Sequence, residues 1–118
     1  MLTIDAVFAP PAYCKASPEL IAELTNGCGA ADAKFDFVPD KIWGLSIEPA
    51  CRVHDWMYLY GQTIEDKDEA DRVFMNNMLR LIHLRSANKF IRYLRNKRAL
   101  SYYQAVQSFG GPAFWAAK

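Results

Sequence analysis

The sequence predicts an all-α fold, and three observations lead there. Apolar residues recur at helical spacing in long stretches. Cap or stop residues bound those stretches. No segment shows worthwhile period-two alternation, and there is no internal repeat or low-complexity tract. With 118 residues, 52% of them hydrophobic and 14% aromatic, the chain is expected to fold. That length suits a single domain over residues 1–118 and is too short for two cores.

The elements follow in order. Residues 1–16 are apolar but broken by Pro10 and Pro11, which predicts an extended arm. Ser17-Pro18-Glu19 reads as a helix start: a cap, a proline at the first helical position, then an acid. That helix runs through Leu20, Ile21 and Leu24 and stops at Asn26-Gly27. The small-residue loop Asn26 to Ala31 can bring backbone groups close to a ligand. Taken alone, it is more simply a helix terminator and a turn. Residues 32–45 read as loop, with Pro39, Gly44 and the aromatics Phe35, Phe37 and Trp43. A helix from about Ile47 to Tyr60 follows, capped by Ser46, with Glu48 in its first turn and Gly61 at its end. Asp66-Lys67-Asp68-Glu69 resembles a capping box with Asp66 as cap. Its helix carries a core stripe of Phe74, Met78, Leu81 and Ile82. A third helical stretch, about Ala87 to Phe109, holds Phe90, Ile91, Leu94, Tyr102 and Val106 before Gly110-Gly111-Pro112.

The net charge of +1 hides an asymmetry. The first 71 residues hold five basic and all 13 acidic residues, a net −8; the rest carry +9. This suggests an anionic partner for the C-terminal half, or two halves that attract each other. A solvated basic face fits equally well. Three cysteines, Cys14, Cys28 and Cys51, are too few for a disulfide scaffold and wrongly spaced for structural zinc. One pair plus one leftover is the natural count. No signal peptide and no membrane span are expected from the sequence. The chain is therefore expected either to act inside the cell that makes it or to leave by a route without a cleaved signal.

Chemistry concentrates around His54. Ile47, Ala50, Cys51, His54, Tyr58 and Gly61 share one helical face, so His54 points toward the core. Asp55 is turned about 100° away. Two antiparallel helices joined by a short connection would set His54 against Asp71. A carboxylate on one ring nitrogen fixes the tautomer and supports the cation formed at the other. That is general-base chemistry, and with no obvious nucleophilic side chain nearby, water is the attacker. Asp55 offers a hard oxygen ligand, and loop carbonyls between Gly27 and Ala31 could complete a calcium shell. Taken singly, His54 is a core histidine and Asp71 a first-turn helix charge. Their joint placement after a Gly-Cys-Gly loop favours a site.

These residues carry a family resemblance. Cys51-Arg52-Val53-His54-Asp55-Trp56-Met57-Tyr58 matches C-x-x-H-D-x-x-Y, and Ala70-Asp71-Arg72-Val73-Phe74 matches A-D-x-x-F. Gly27-Cys28-Gly29 matches the core of a calcium loop. From about Asn26 to Phe74 the chain resembles the secreted-type phospholipase A2 superfamily, closest to its small microbial and viral members. The resemblance implies a phospholipase A2-like fold. Two antiparallel core helices carry the dyad, a calcium loop precedes the first, and extra helices lie at both ends. It implies a Cys28–Cys51 disulfide with Cys14 free, and a Tyr58 bond to Asp71. It implies calcium-dependent hydrolysis of the sn-2 ester of glycerophospholipids. His54 is then the base, Asp71 its orienter, and the Gly29 amide an oxyanion donor. Asp55 and the loop carbonyls of Gly27, Gly29 and Ala31 are then the calcium ligands. Leu20, Ile21, Trp43 and Trp56 would line an acyl slot or simply pack the core. The sequence departs from the family at Ala50 and Met57, where cysteines are usual, and at Ala30-Ala31, where a further glycine is.

The basic run includes Arg85, Lys89, Arg92 and Arg95, which suit the anionic headgroups of a phospholipid membrane surface. Nucleic acid is not the expected partner, although the same run with Tyr93, Tyr102 and Tyr103 offers that alternative. A non-catalytic binding module on the same fold is the other. An HD-type metal phosphohydrolase needs more histidines than His54 and His83, and His83 is expected at the surface near a helix end. The chemistry fits action outside the producing cell after a cytoplasmic stage.

Overall fold

The computed structural model describes residues 1–4, 6–25 and 39–116. It is mostly helical, with small strand pairs. The two long core helices form where the apolar spacing demands them. Helix α3 is Glu48–Tyr60 and helix α4 is Ile64–Arg85, after the strands β1 to β4 and helices α1 and α2 described next. Residues 61–63 join them in a tight helical hairpin.

The N-terminal stretch differs from the extended arm. Leu2–Ile4 (β1) pairs antiparallel with Val7–Ala9 (β2), in the register Leu2↔Ala9. Ala6 turns the chain with φ 66°. The prolines then begin a helix: Pro10 is the N-cap and Pro11 opens α1, Pro11–Lys15. Burial explains why this hairpin persists. Asn77, fully buried on α4, accepts from Phe8 N at 2.7 Å and donates to Phe8 O at 2.9 Å. Those bonds satisfy backbone groups of β2 that the two-stranded ladder leaves over.

Ser17 caps α2, Pro18–Leu24, as its sequence predicts, and accepts from Leu20 N at 3.1 Å. A second hairpin, Lys41–Ile42 (β3) with Leu45–Ser46 (β4), lies where loop was expected. Its turn places Trp43 at φ 46° and Gly44 at φ 79°. The glycine suits that conformation, whereas the tryptophan adopts it at some steric cost. Ile42 and Leu45 anchor the hairpin in the core.

Two caps shift by register. Ile47, not Ser46, stands at the N-cap of α3, while Ser46 Oγ accepts from Glu48 N at 3.4 Å. The capping box of α4 uses Thr63 as cap and Asp66 as its third residue, so α4 starts earlier than Asp66. Asp71 therefore sits two turns into α4, not in its first turn. Asn88 caps α5, Lys89–Phe109, and Gly110 ends it. Pro112 falls in the first turn of α6, Gly111–Ala116. The core stripe of Phe74, Met78, Leu81 and Ile82 is buried as expected. From α5, Ala99, Tyr102 and Val106 join it, while Phe90 is 72% exposed.

Candidate active site

The hairpin of α3 and α4 brings two residues seventeen apart into one buried pair. His54 lies six residues before the end of α3, and Asp71 lies seven after the start of α4. Their side chains are 3% and 0% exposed, and His54 Nε2 sits 2.8 Å from Asp71 Oδ1. An ionised carboxylate only accepts, so Nε2 carries the proton and donates. Tyr58, one turn beyond His54, donates its hydroxyl to the same Oδ1 at 2.6 Å. The rings of Tyr58 and Phe74 pack against the imidazole, with centroids 4.2 and 4.7 Å away.

The second carboxylate oxygen has its own partner. Lys67, one turn before Asp71 on α4, donates Nζ to Oδ2 at 2.8 Å. The same ammonium donates to Val106 O at 3.2 Å and Gln107 O at 3.4 Å in the last turn of α5. In the sequence Lys67 stands out only as part of a capping segment. The signal for it was present: a lysine four residues before an aspartate shares its helix face.

The electrostatics follow from burial. Burial pushes the Asp71 carboxyl up, but donors from His54, Lys67 and Tyr58 outweigh it and hold the pKa below the ordinary carboxylate value. Burial lowers the His54 pKa; Asp71 acts against that, and the Lys67 charge adds to it. Burial and the Asp71 bond push the Tyr58 phenol far up, so it stays a donor. The result at neutral pH is a neutral imidazole on a charged carboxylate.

A glycine makes room for this arrangement. A Cβ on Gly110, the C-cap of α5, would lie 2.6 Å from the Tyr58 hydroxyl and would collide with Val106 O. Phe114 of α6 closes the other side, edge-on to the Tyr58 ring at 5.2 Å.

The remaining expected residues scatter. Asp55 is half-buried beside His54 on α3. The loop positions Gly27, Cys28, Gly29 and Ala31 lie outside the described residues. Among the described residues no group of three histidine, cysteine or acidic side chains could hold a metal. A calcium site here would depend on Asp55 and main-chain oxygens, and such a donor set suits that hard ion. Cys51 is buried one turn before His54, and Cys14 is free and half-buried on α1.

Leu20 and Trp56 line a cavity of about 680 Å³, together with Pro10, Met57 and Tyr60. Trp43, expected with them, sits 52% exposed on the β3–β4 turn, where the Arg98 guanidinium lies 5.8 Å from its ring. Ile21 packs half-buried against the core. Arg85 and Lys89 are exposed at the turn between α4 and α5, beside Leu84 and Phe90 at 55% and 72% exposure. That turn is about 21 Å along α4 from Asp71. Arg92 is half-buried. Arg95 is committed internally: its guanidinium donates to Arg85 O, Ser86 Oγ and Trp43 O, clamping the β3–β4 turn against the α4–α5 turn. His83 is exposed in the last turn of α4, as its sequence position predicts. Among the described helices none is long and apolar enough to cross a membrane.

No protein-family model, no curated protein and no solved structure matches this chain.

Proposed function

We propose that this chain is a phospholipase A2-like enzyme that hydrolyses the sn-2 ester of glycerophospholipids, with water activated by His54. One observation carries the reading: a buried imidazole bonded through Nε2 to a carboxylate that Tyr58 also holds, on the motif that resembles this superfamily. Asp71 keeps the proton on Nε2 and turns Nδ1 toward the reacting water. His54 Nδ1 takes a proton as the water oxygen adds to the ester carbonyl. Asp71 stabilises the imidazolium, which returns the proton to the departing glycerol oxygen. A free fatty acid and a lysophospholipid result. The Gly29 amide would donate to the oxyanion. Asp55 and the carbonyls of Gly27, Gly29 and Ala31 would hold calcium, which when bound would polarise the ester carbonyl and neutralise phosphate charge.

Two supporting features belong to the same reading. Cys51 is disulfide-bonded and Cys14 is free, which supports a Cys28–Cys51 link tying the calcium loop to α3. Such a bond favours activity outside the producing cell, where thiols stay oxidised and calcium is abundant. The exposed Arg85 and Lys89 beside Phe90 suit an anionic bilayer surface. Arg92 adds to that charge, while the Nη1 and Nη2 groups of Arg95 already donate to Ser86 Oγ and Trp43 O and are less available to a headgroup.

The test is release of labelled fatty acid from sn-2-labelled vesicles with calcium and with excess chelator. Release that requires calcium supports the proposal. No release in either condition from folded, air-oxidised protein rejects it. Asp55→Lys is expected to abolish both calcium affinity and release, and unchanged calcium affinity by calorimetry would reject Asp55 as the ligand.

A further inference from the structure

Lys67 is a charged residue only 4% exposed. Taking a lysine side chain out of water is costly unless every donor finds an acceptor. Here the Nζ group is fully engaged by its surroundings. Its three N–H donors meet Asp71 Oδ2, Val106 O and Gln107 O. Two of those are carbonyls in the last turn of α5, the negative end of that helix. The Tyr58 ring lies 5.8 Å from the same ammonium.

The geometry around Asp71 gives this lysine a task. Oδ1 already accepts from His54 and Tyr58. With Oδ2 empty, the carboxylate could rotate about its last bond and exchange its oxygens. Filling Oδ2 from the opposite side fixes the carboxylate plane, so Oδ1 keeps facing the imidazole. We propose that Lys67 is a positioning residue for the His54–Asp71 pair. It acts through Asp71 and ties the orientation of the imidazole to the end of α5. Its kinetic consequence rests on the hydrolase reading; its structural consequence does not.

The experiment compares the full chain with Lys67→Met, Asp71→Asn and the double variant. Two readouts are used: ¹⁵N NMR of the imidazole nitrogens at neutral pH, and turnover on sn-2-labelled vesicles. The chain has two histidines, so exposed His83 serves as internal reference. In the parent, His54 is expected to show one protonated and one unprotonated ring nitrogen. In Lys67→Met the two signals move toward each other, and kcat falls about tenfold, on the scale of other groups that orient a ligand from behind, with little change in KM. Against an Asp71→Asn background the Lys67 substitution changes neither readout further. That arm removes both charges together and holds even where Lys67→Met alone folds poorly. Unchanged His54 signals in folded Lys67→Met, or an additive loss in the double variant, would overturn the inference. Shifted ring signals in a protein that releases no fatty acid support the positioning role and defeat the hydrolase reading. Unchanged signals in an active enzyme defeat the positioning role alone.

Discussion

Two ion pairs in this molecule share one spacing and differ in almost everything else. Glu48 and Arg52 stand four apart on α3, with oxygen and nitrogen 2.7 Å apart and side chains 45% and 30% exposed. Lys67 and Asp71 stand four apart on α4 at 2.8 Å, with side chains 5% and 0% exposed. In the first pair water screens the attraction and competes for each charge, so little stability depends on it. In the second, neither charge can return to water without unfolding, and each holds the other in place. Burial, not helical spacing, decides which pair positions other groups.

Breaking the buried pair has the largest expected effect. Asp71→Ala leaves the Lys67 ammonium and the His54 Nε2 proton without their carboxylate. The expected loss is on the order of 3 kcal/mol by urea denaturation, together with nearly all fatty-acid release. Replacing both partners, as Lys67→Met with Asp71→Leu, is expected to recover the part of the stability lost to the unpaired ammonium and none of the activity. Recovery of activity there would mean that the charges serve packing only.

Gly110→Ala sharpens the comparison from the side of α5. The added methyl meets the Tyr58 hydroxyl and Val106 O. Overpacking of this kind costs about 1–3 kcal/mol. Because the displaced hydroxyl is a donor to Asp71, turnover should fall beyond what the lost stability explains. A Gly110→Ala protein of lower stability but full turnover would separate Tyr58 from the dyad.

Acid acts on the buried cluster through two groups, and both act in the same direction. The folded pKa of His54 is lowered from 6.5, so below that value the unfolded chain binds a proton that the folded chain resists. Stability contributed here is full above pH 6.5 and is lost as pH falls through the window below it. The lowered pKa of Asp71 adds a second loss below 3.8. Denaturation at pH 7 and pH 5 should show a drop in the parent that His54→Gln lacks. An equal drop in both would place the acid sensitivity elsewhere. Smallest of all, Glu48→Ala should change stability by about 0.3–0.5 kcal/mol and leave turnover unchanged.

What the sequence disclosed follows the same logic of local against distant causes. The helical hairpin, the core stripe from Phe74 to Ile82, and the meeting of His54 with Asp71 follow from periodicity and a short connection, whereas the Tyr58 bond to Asp71 is expected only from the family resemblance. The strands β1 to β4 escaped because two or three residues are too few to display alternation. The turn at Trp43-Gly44 lacks the usual left-handed pair of small polar residues. Pro10 and Pro11 read as breakers, yet proline at a helix start is compatible with the fixed φ of its ring. Asp66 fits either position of a capping box, and only the Thr63 hydroxyl one turn earlier settles the register. Burial of Lys67 was legible in part. The spacing to Asp71 is visible, but the carbonyls of Val106 and Gln107 come from a helix some forty residues away. Likewise nothing local marks Arg95 as a clamp rather than a surface charge.

The central claim is that one buried imidazole, held by Asp71, activates water against a lipid ester. The most direct measurement is release of the sn-2 fatty acid by the parent chain and by His54→Gln, with calcium present and helical content matched by circular dichroism. Calcium-dependent release by the parent is expected, with a fall of about 10²–10⁴-fold in the variant, the usual contribution of a general base. Release by His54→Gln at the rate of the parent would contradict it.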